Sequence, residues 1–262
     1  MFIGLGLHDE MGITLRGLEE AKSADYVFIE LYTSLLPGFS LKHFEELCGK
    51  RVHVLSRQDI EEKSGESILR SAEQGKTVLL VPGDPLIATT HVVLRIEAEK
   101  RRIKTLLVHG ASILSAVIGL SGLHNYKFGK TVTIPFSDGV PPETPYDVIS
   151  QNATAGLHTL CLLDMRADER RYMNIHEAIG ALLEIEAKRK QRIVTSSTLA
   201  VGIARAGSSR PEVKAGSIKD LLEHDFGKPP HTLVFPGALH FTEAEALVVL
   251  ADGPRRLLEA HE

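Results

Sequence analysis

The sequence has little cysteine. Its 262 residues include two cysteines, Cys48 and Cys161, which are widely separated and have no cysteine near them in sequence. This pattern excludes a disulfide framework and a zinc knuckle. None of the twelve histidines stands at metal-ligand spacing from a cysteine or carboxylate, and the H-E-x-x-H pattern that begins at His176 is broken by Gly180. We therefore predict no metal site.

The sequence also lacks a long hydrophobic run. The longest nearly uncharged stretch, residues 110–123, is too short to cross a bilayer and contains glycine and serine. The opening MFIGLGLHDE has no basic region before its short apolar run, so we expect no signal peptide. With 43% hydrophobic and 24% charged residues, the composition is that of a soluble, folded protein. We expect it in the reducing cytoplasm, with no membrane partner.

Basic charge is not in excess. The chain has 30 Lys and Arg against 34 Asp and Glu, a formal net charge of −4, and 5% of its residues are aromatic. A nucleic-acid surface needs clustered basic residues and, for RNA, aromatic rings on which bases stack. We therefore predict no direct nucleic-acid partner.

The first half of the chain alternates strand and helix signals. Five strands joined by helical crossovers predict a doubly wound parallel sheet over residues 1–109, with helices on both faces. The predicted strands are 2–7, 26–31, 51–55, 77–81 and 104–109, and the predicted helices are 14–24, 41–48, 60–73 and a fourth from residue 90.

The second half, residues 110–262, has a different pattern. An apparent hairpin and isolated strands predict a mixed sheet in a second α/β domain. We expect strands at 131–135, 157–163, 199–205, 212–215 and 231–235, helices at 112–121 (buried), 175–188 and 242–250, and an irregular loop at 136–145.

The central feature of the first half is the stretch TVLLVPGDPLIATTH, residues 77–91. A buried strand ends at the turn 82–85, which carries the carboxylate of Asp84. Thr89 or Thr90 is suited to cap the next helix, whose predicted apolar face includes residues 92, 93 and 96. In an open parallel sheet such a turn lies at the edge where ligands bind. From spacing alone, an ordinary connection between strand and helix remains open.

Gly4 and Gly6 also suggest a dinucleotide-binding turn. Asp9 occupies the position of the third glycine, and Asp9 and Glu10 would place two carboxylates against a pyrophosphate. We therefore reject a nicotinamide cofactor.

Several longer motifs carry a family resemblance. FIGLGL, YTSLLPG, VPGDPLIATTH, GASILSAVIGLSGLHNYKFGK, ARAGS and FGKPPHTLVFPGALH resemble the diphthine synthases, S-adenosylmethionine-dependent methyltransferases of the tetrapyrrole-methylase fold. The resemblance implies two α/β domains with the cofactor in the cleft between them, and a homodimer. It also implies N-methylation of the modified histidine of translation elongation factor 2, a step of diphthamide biosynthesis.

The resemblance also implies cofactor contacts at strand ends and helix starts, where backbone groups are free. Asp84 could instead cap its own turn, Ser112 could cap a helix, three of the apolar residues (87, 113 and 163) could be core, and His231 could simply begin a strand. The implied contacts are Leu7, Asp84, Ile87, Ser112, Ile113, Leu163, Ala206 and His231.

The chemistry itself asks little of one side chain, because a sulfonium methyl is already activated and an α-amino group has a pKa near about 8. We name no general base, although Tyr32, His91 and His109 stand near predicted strand ends and could assist. Whether three or four methyl groups are added stays open. The alternatives are a methylase of tetrapyrrole precursors or ribosomal RNA, and a cofactor-binding module without catalysis.

Overall fold

The computed structural model describes residues 1–259, and of residue 168 it describes the backbone alone. The chain forms two compact units, Met1–Ile113 and Leu114–Glu262. Each unit contains a five-stranded sheet whose strands are interspersed with helices. The predicted α/β class is confirmed. No helix among residues 1–259 combines the length and the apolar character needed to cross a membrane.

The sheet of the first unit is wholly parallel, as predicted. Its strands lie in the order β3-β2-β4-β1-β5, and each neighbouring pair is parallel. The central strand β4 is buried along its whole length, as expected for a short apolar run inside a parallel sheet. The strands are β1 (Phe2–Gly4), β2 (Tyr26–Glu30), β3 (Val52–Leu55), β4 (Thr77–Val81) and β5 (Leu107–Val108).

Four helices connect these strands. They are α1 (Leu15–Lys22), α2 (Leu41–Cys48), α3 (Glu66–Gln74) and α4 (Val92–Lys100). The predicted single helix over 60–73 is wrong, because Ser64 and Gly65 have φ angles of 53° and 63°. These left-handed angles end a π-helical turn at Gln58–Glu62 before α3 begins.

The predicted cap and buried face of α4 are also wrong. Thr89 and Thr90 do not cap it: their hydroxyls donate to the carbonyl of Pro85 and the carboxylate of Glu61. The predicted apolar face is exposed: Val92 is 46% exposed, Val93 67% and Ile96 49%. Leu94 and Ala98, four residues apart on another face, are buried instead. The neighbouring elements, rather than the helix's own pattern, decide which apolar face is covered.

The sheet of the second unit is mixed, which confirms the prediction. Its order is β11-β10-β12-β7-β6; β6 and β7 are parallel and the other pairs are antiparallel. The predicted hairpin is the pair β10 and β11. The strands are β6 (Val132–Ile134), β7 (Thr159–Leu163), β10 (Leu199–Ala204), β11 (Glu212–Ser217) and β12 (His231–Phe235), with a separate ribbon of β8 (Met165–Arg166) and β9 (Arg171–Tyr172).

Three helices of the second unit were not predicted: α6 (Thr144–Thr154), α8 (Ile218–Glu223) and α10 (Arg256–Glu259). The segment 136–145 is irregular only to residue 143, because Pro145 lies in the first turn of α6, where proline is well tolerated. The six-residue α8 is held by a capping box between Ser217 and Asp220. α5 is largely half-buried rather than buried, with Val117 and Ser121 as its covered residues. The helices are α5 (Ile113–Ser121), α6 (Thr144–Thr154), α7 (Ile175–Arg189), α8 (Ile218–Glu223), α9 (Phe241–Leu250) and α10 (Arg256–Glu259).

Candidate functional site

The candidate site of the first unit lies at the carboxyl edge of its parallel sheet. β1 and β4 are neighbours, yet the chain leaves β1 toward β2 on one side and leaves β4 toward β5 on the other. Such a reversal opens a crevice at the carboxyl ends of adjacent strands, where ligands bind in doubly wound folds. Leu7 follows β1 and Asp84 follows β4. Two of the predicted cofactor contacts therefore lie at this reversal.

Four glycines hold the strand ends together. Gly6 and Gly83 exchange backbone hydrogen bonds with N···O distances of 3.2 and 2.6 Å. A Cβ atom on Gly4 would lie 2.5 Å from the carbonyl oxygen of Gly83 and 2.6 Å from the nitrogen of Gly110. These neighbours are backbone atoms, which cannot move aside as a flexible side chain can. Gly4 therefore allows the ends of β1, β4 and β5 to approach closely.

The carboxylate of Asp84 has two partners. Its Oδ1 accepts a hydrogen bond from the backbone N–H of Leu86 at 3.4 Å, so the turn-capping role is present. Its Oδ2 lies 2.7 Å from Nδ1 of His109, which follows β5. Asp84 is 9% exposed, while the side chain of His109 is 73% exposed. The structure thus joins a buried carboxylate to an accessible imidazole, a pairing that local sequence patterns did not predict.

The other predicted contacts of the first unit lie nearby in the chain. Ile87 belongs to the same turn and is 37% exposed, which excludes the alternative that it is core. Ser112 and Ile113 stand at the start of α5, and both are half-buried.

Three predicted contacts of the second unit come to one edge of its own sheet. Leu163 ends β7, and His231 begins β12, which is antiparallel to both β7 and β10. The register pairs His231 with Ala204, the last residue of β10, so Ala206 lies two residues beyond this edge. All three predicted residues are half-buried.

One ring nitrogen of His231 lacks a well-aligned hydrogen bond within residues 1–259. Its Nδ1 accepts a hydrogen bond from the backbone N–H of Ile175 at 3.4 Å. Its Nε2 is buried, and no residue among 1–259 meets it with good hydrogen-bond geometry, although the backbone of Gly227 and Lys228 lies close to the ring. Burial lowers the pKa of His231, so the ring is neutral at pH 7. A neutral imidazole with a free nitrogen is suited to a polar ligand.

Arg205 is a residue that the sequence analysis did not single out, although it lies in the ARAGS motif. Its backbone N–H donates to the carbonyl of Pro230 at 2.8 Å. Its Nη1 donates to the carbonyls of Phe226 and Lys228 at 2.6 and 2.8 Å. Arg205 therefore fixes the segment that leads into His231.

Two side chains that could have assisted the chemistry are buried. Tyr32 is 8% exposed and His91 is 0% exposed. They surround Glu30, which accepts hydrogen bonds from the backbone N–H groups of Tyr32 and Thr33. Burial raises the pKa of Glu30 to about 7, and burial lowers the pKa of His91. Of the three candidates named from the sequence, His109 alone reaches solvent.

The residues described between 1 and 259 contain no group of three or more His, Cys, Asp or Glu side chains arranged to hold a metal ion.

Comparison with known proteins identifies the family of this chain. Residues 1–222 match the Tetrapyrrole (Corrin/Porphyrin) Methylases. A diphthine synthase of Methanosarcina mazei is 52% identical to the chain, covering 98% of each sequence. That of Methanocaldococcus jannaschii is 47% identical, covering 95% of this chain and 97% of the relative. A crystal structure of a diphthine synthase superposes with a TM-score of 0.89 at 44% identity, covering 98% of each chain.

The chain belongs to the tetrapyrrole methylases and, within them, to the diphthine synthases. The family resemblance noted in its motifs is confirmed over nearly the whole length of both relatives. As a member of this family it is an enzyme, a methyltransferase of diphthamide biosynthesis. Its residues at the two sheet edges can now be considered for that reaction.

Proposed function

We propose that this enzyme transfers methyl groups from S-adenosylmethionine to the amine of the partly built diphthamide side chain on translation elongation factor 2. The observation that carries the proposal is the full-length similarity to diphthine synthases, at 52% identity over 98% of both chains for one relative. The net charge of −4 and the 5% aromatic content support a protein substrate over ribosomal RNA.

The residues of the first unit fit such a cofactor. The turn after β4 offers the carboxylate of Asp84 to a hydroxyl or amine, and the exposed Ile87 to an apolar group. Leu7 lies just beyond the end of β1, and Ser112 and Ile113 lie at the start of α5. We propose these five residues as cofactor contacts.

The second unit offers a complementary set of groups. The buried Nε2 of His231 has an unfilled hydrogen-bonding capacity, which favours a polar ligand atom beside it. Leu163 and Ala206 lie at the same sheet edge as His231. We propose Leu163, Ala206 and His231 as further cofactor contacts.

The bound cofactor would supply a methyl group that its sulfonium already activates. The protein's own residues then have to hold the acceptor amine in line with that methyl group and to exclude water. Positioning of this kind is worth up to about 7–11 kcal/mol in favourable cases. We further propose that the enzyme acts in the cytoplasm as a homodimer.

The first test concerns the cofactor. Calorimetry in excess chelator should detect binding of S-adenosylmethionine and of its demethylated product. Absence of binding at millimolar cofactor, or binding that returns only with a divalent ion, would contradict the metal-free assignment.

The second test concerns the acceptor. With labelled S-adenosylmethionine, we expect methyl transfer to elongation factor 2 that carries the aminocarboxypropyl-histidine intermediate and none to the unmodified factor. The intermediate supplies a flexible aliphatic amine, whereas a bare imidazole is shorter. Mass spectrometry of the modified peptide would count three or four methyl groups. Equal labelling of the two forms, or labelling of a tetrapyrrole precursor instead, would contradict the proposal.

A further inference from the structure

Asp84 and His109 form a hydrogen-bonded pair that is arranged to accept a proton. Nδ1 of His109 lies 2.7 Å from Oδ2 of Asp84. A carboxylate only accepts hydrogen bonds, so this contact places the ring proton on Nδ1 and leaves Nε2 with a free lone pair. The His109 side chain is 73% exposed, so its Nε2 edge is open to an incoming group.

The backbone keeps this pair in place. Asp84 is held through its Oδ1, which accepts from the N–H of Leu86. A Cβ atom on Gly110 would lie 2.5 Å from the carbonyl oxygen of Gly83. The residue after His109 therefore packs, backbone against backbone, on the residue before Asp84. The two side chains meet because β4 and β5, the strands that precede them, end on either side of β1.

The reaction needs a proton acceptor such as this pair. Each methyl transfer turns an amine into an ammonium, and an ammonium has no lone pair for the next transfer. Addition of several methyl groups to one nitrogen therefore requires that a proton leave after the first and second transfers. A neutral imidazole is well matched to this task near pH 7.

We propose that His109 accepts these protons and that Asp84 is its positioning residue; this rests on the proposed methyl transfer to an aliphatic amine. In each step the amine nitrogen forms a bond to the methyl carbon, the carbon–sulfur bond breaks, and the sulfur keeps the electron pair. After the first and the second transfer, Nε2 of His109 takes one N–H proton from the new ammonium and later releases it to water; the third transfer leaves no N–H proton. The carboxylate of Asp84 faces the resulting imidazolium and stabilises its charge. The Asp84 carboxylate has lone pairs enough to contact His109 and a ligand together.

The test compares the wild-type protein with His109→Gln and a matched control, His43→Gln. His43 is also exposed, at 56%, and also lies near a carboxylate, with Nδ1 3.5 Å from Glu10, but it is on α2. Single-turnover methyl transfer to elongation factor 2 carrying the aminocarboxypropyl-histidine would be measured from pH 6 to 9, with calorimetry of S-adenosylmethionine binding alongside.

We expect His109→Gln to slow the second and third transfers, each of which needs a prior proton removal, by about 100-fold at pH 7, the lower end of the range for general base catalysis. The deficit should shrink toward pH 9, where more of the amine is already neutral. Mono- and dimethylated products should accumulate, while cofactor affinity stays within threefold of wild type. His43→Gln should match wild type in rate and products. In His109→Ala, added imidazole should restore transfer, which a merely structural role of the side chain would not allow.

Two results would distinguish a failure of the role assigned to His109 from a failure of the proposed function. If the wild-type protein methylates the factor and His109→Gln has the same rate, pH profile and product distribution, the role of His109 is refuted and the proposed function stands. If the wild-type protein binds cofactor but methylates no form of the factor, the proposed function fails, and the assignment of His109 fails with it.

Discussion

A buried carboxylate in the second unit should dominate the acid stability of this protein. Glu243 on α9 is 0% exposed. It accepts hydrogen bonds from the backbone N–H groups of His124 and His240, each at 2.8 Å, and lies 2.9 Å from Nε2 of His158. It also forms an ion pair with Lys127. One side chain thus joins three separate parts of the unit.

Removal of this carboxylate by Glu243→Ala would leave the ring of His158 and two backbone N–H groups without their acceptor, and the ammonium of Lys127 with the carbonyl of Ala238 but no anionic partner. Loss of one partner from a buried ion pair costs about 3–5 kcal/mol. Glu243→Gln keeps an oxygen acceptor but loses the charge, so we expect a smaller loss, about 1.5–3 kcal/mol. The exposed Glu245 on the same helix provides the control, and Glu245→Gln should change stability by less than about 0.5 kcal/mol.

The effect should depend on pH. Burial alone would raise the pKa of Glu243, but Lys127 and the hydrogen bonds from His124, His240 and His158 outweigh it and lower the pKa to about 2. The folded state therefore favours the ionised form more than the unfolded state does. This stability is present above about pH 5 and is lost as pH falls toward 2; at 1.36 kcal/mol per pKa unit it amounts to about 3 kcal/mol.

Urea unfolding at pH 7 and at pH 3 would measure the free energy of unfolding of each variant and the dependence of that free energy on pH. The difference in the free energy of unfolding between wild type and Glu243→Gln should be smaller at pH 3 than at pH 7. Equal stability of wild type and Glu243→Ala at pH 7, or a difference that does not change with pH, would refute the reasoning.

The parts of the fold that the sequence predicted correctly are those where one local pattern has one structural meaning. The run 78–81 is too short for a helix and too apolar for a surface, so it has to be an inner strand. The five predicted strands of the first unit and the mixed sheet of the second follow from such runs. Helix faces were harder to predict. α4 has apolar residues on two sides, and burial of Leu94 rather than Val93 depends on which neighbour covers it.

The candidate site was likewise predicted only in part from the sequence. The turn at Asp84 was visible in the sequence because proline and glycine mark it. Its contact with His109 was not, since 25 residues separate them and only the order β4-β1-β5 brings their strands to the same edge. The helix cap of α9 was equally hidden, because its N-cap is His240, a residue type outside the usual set of capping side chains.

Three further predictions concern Asp84, Gly110 and Glu30 of the first unit. Asp84→Ala should weaken S-adenosylmethionine binding by about 1.5–3 kcal/mol in calorimetry and keep a cooperative melting transition; lost folding with unchanged affinity would make Asp84 purely structural. Gly110→Ala should destabilise the fold by about 1–3 kcal/mol in urea, because its Cβ would lie 2.5 Å from the carbonyl of Gly83. Gly119→Ala, whose Cβ meets nothing within 4 Å in α5, should be neutral or stabilising. Glu30→Gln tests a carboxyl whose pKa burial raises to about 7. The folded state holds that proton longer than the unfolded state, so wild-type stability should fall as pH rises from about 4.5 to 7. The variant cannot ionise at this position and should lack this decline, so its stability relative to wild type should increase between pH 5 and pH 8. A relative stability that stays constant across this interval would show that Glu30 titrates alike in both states.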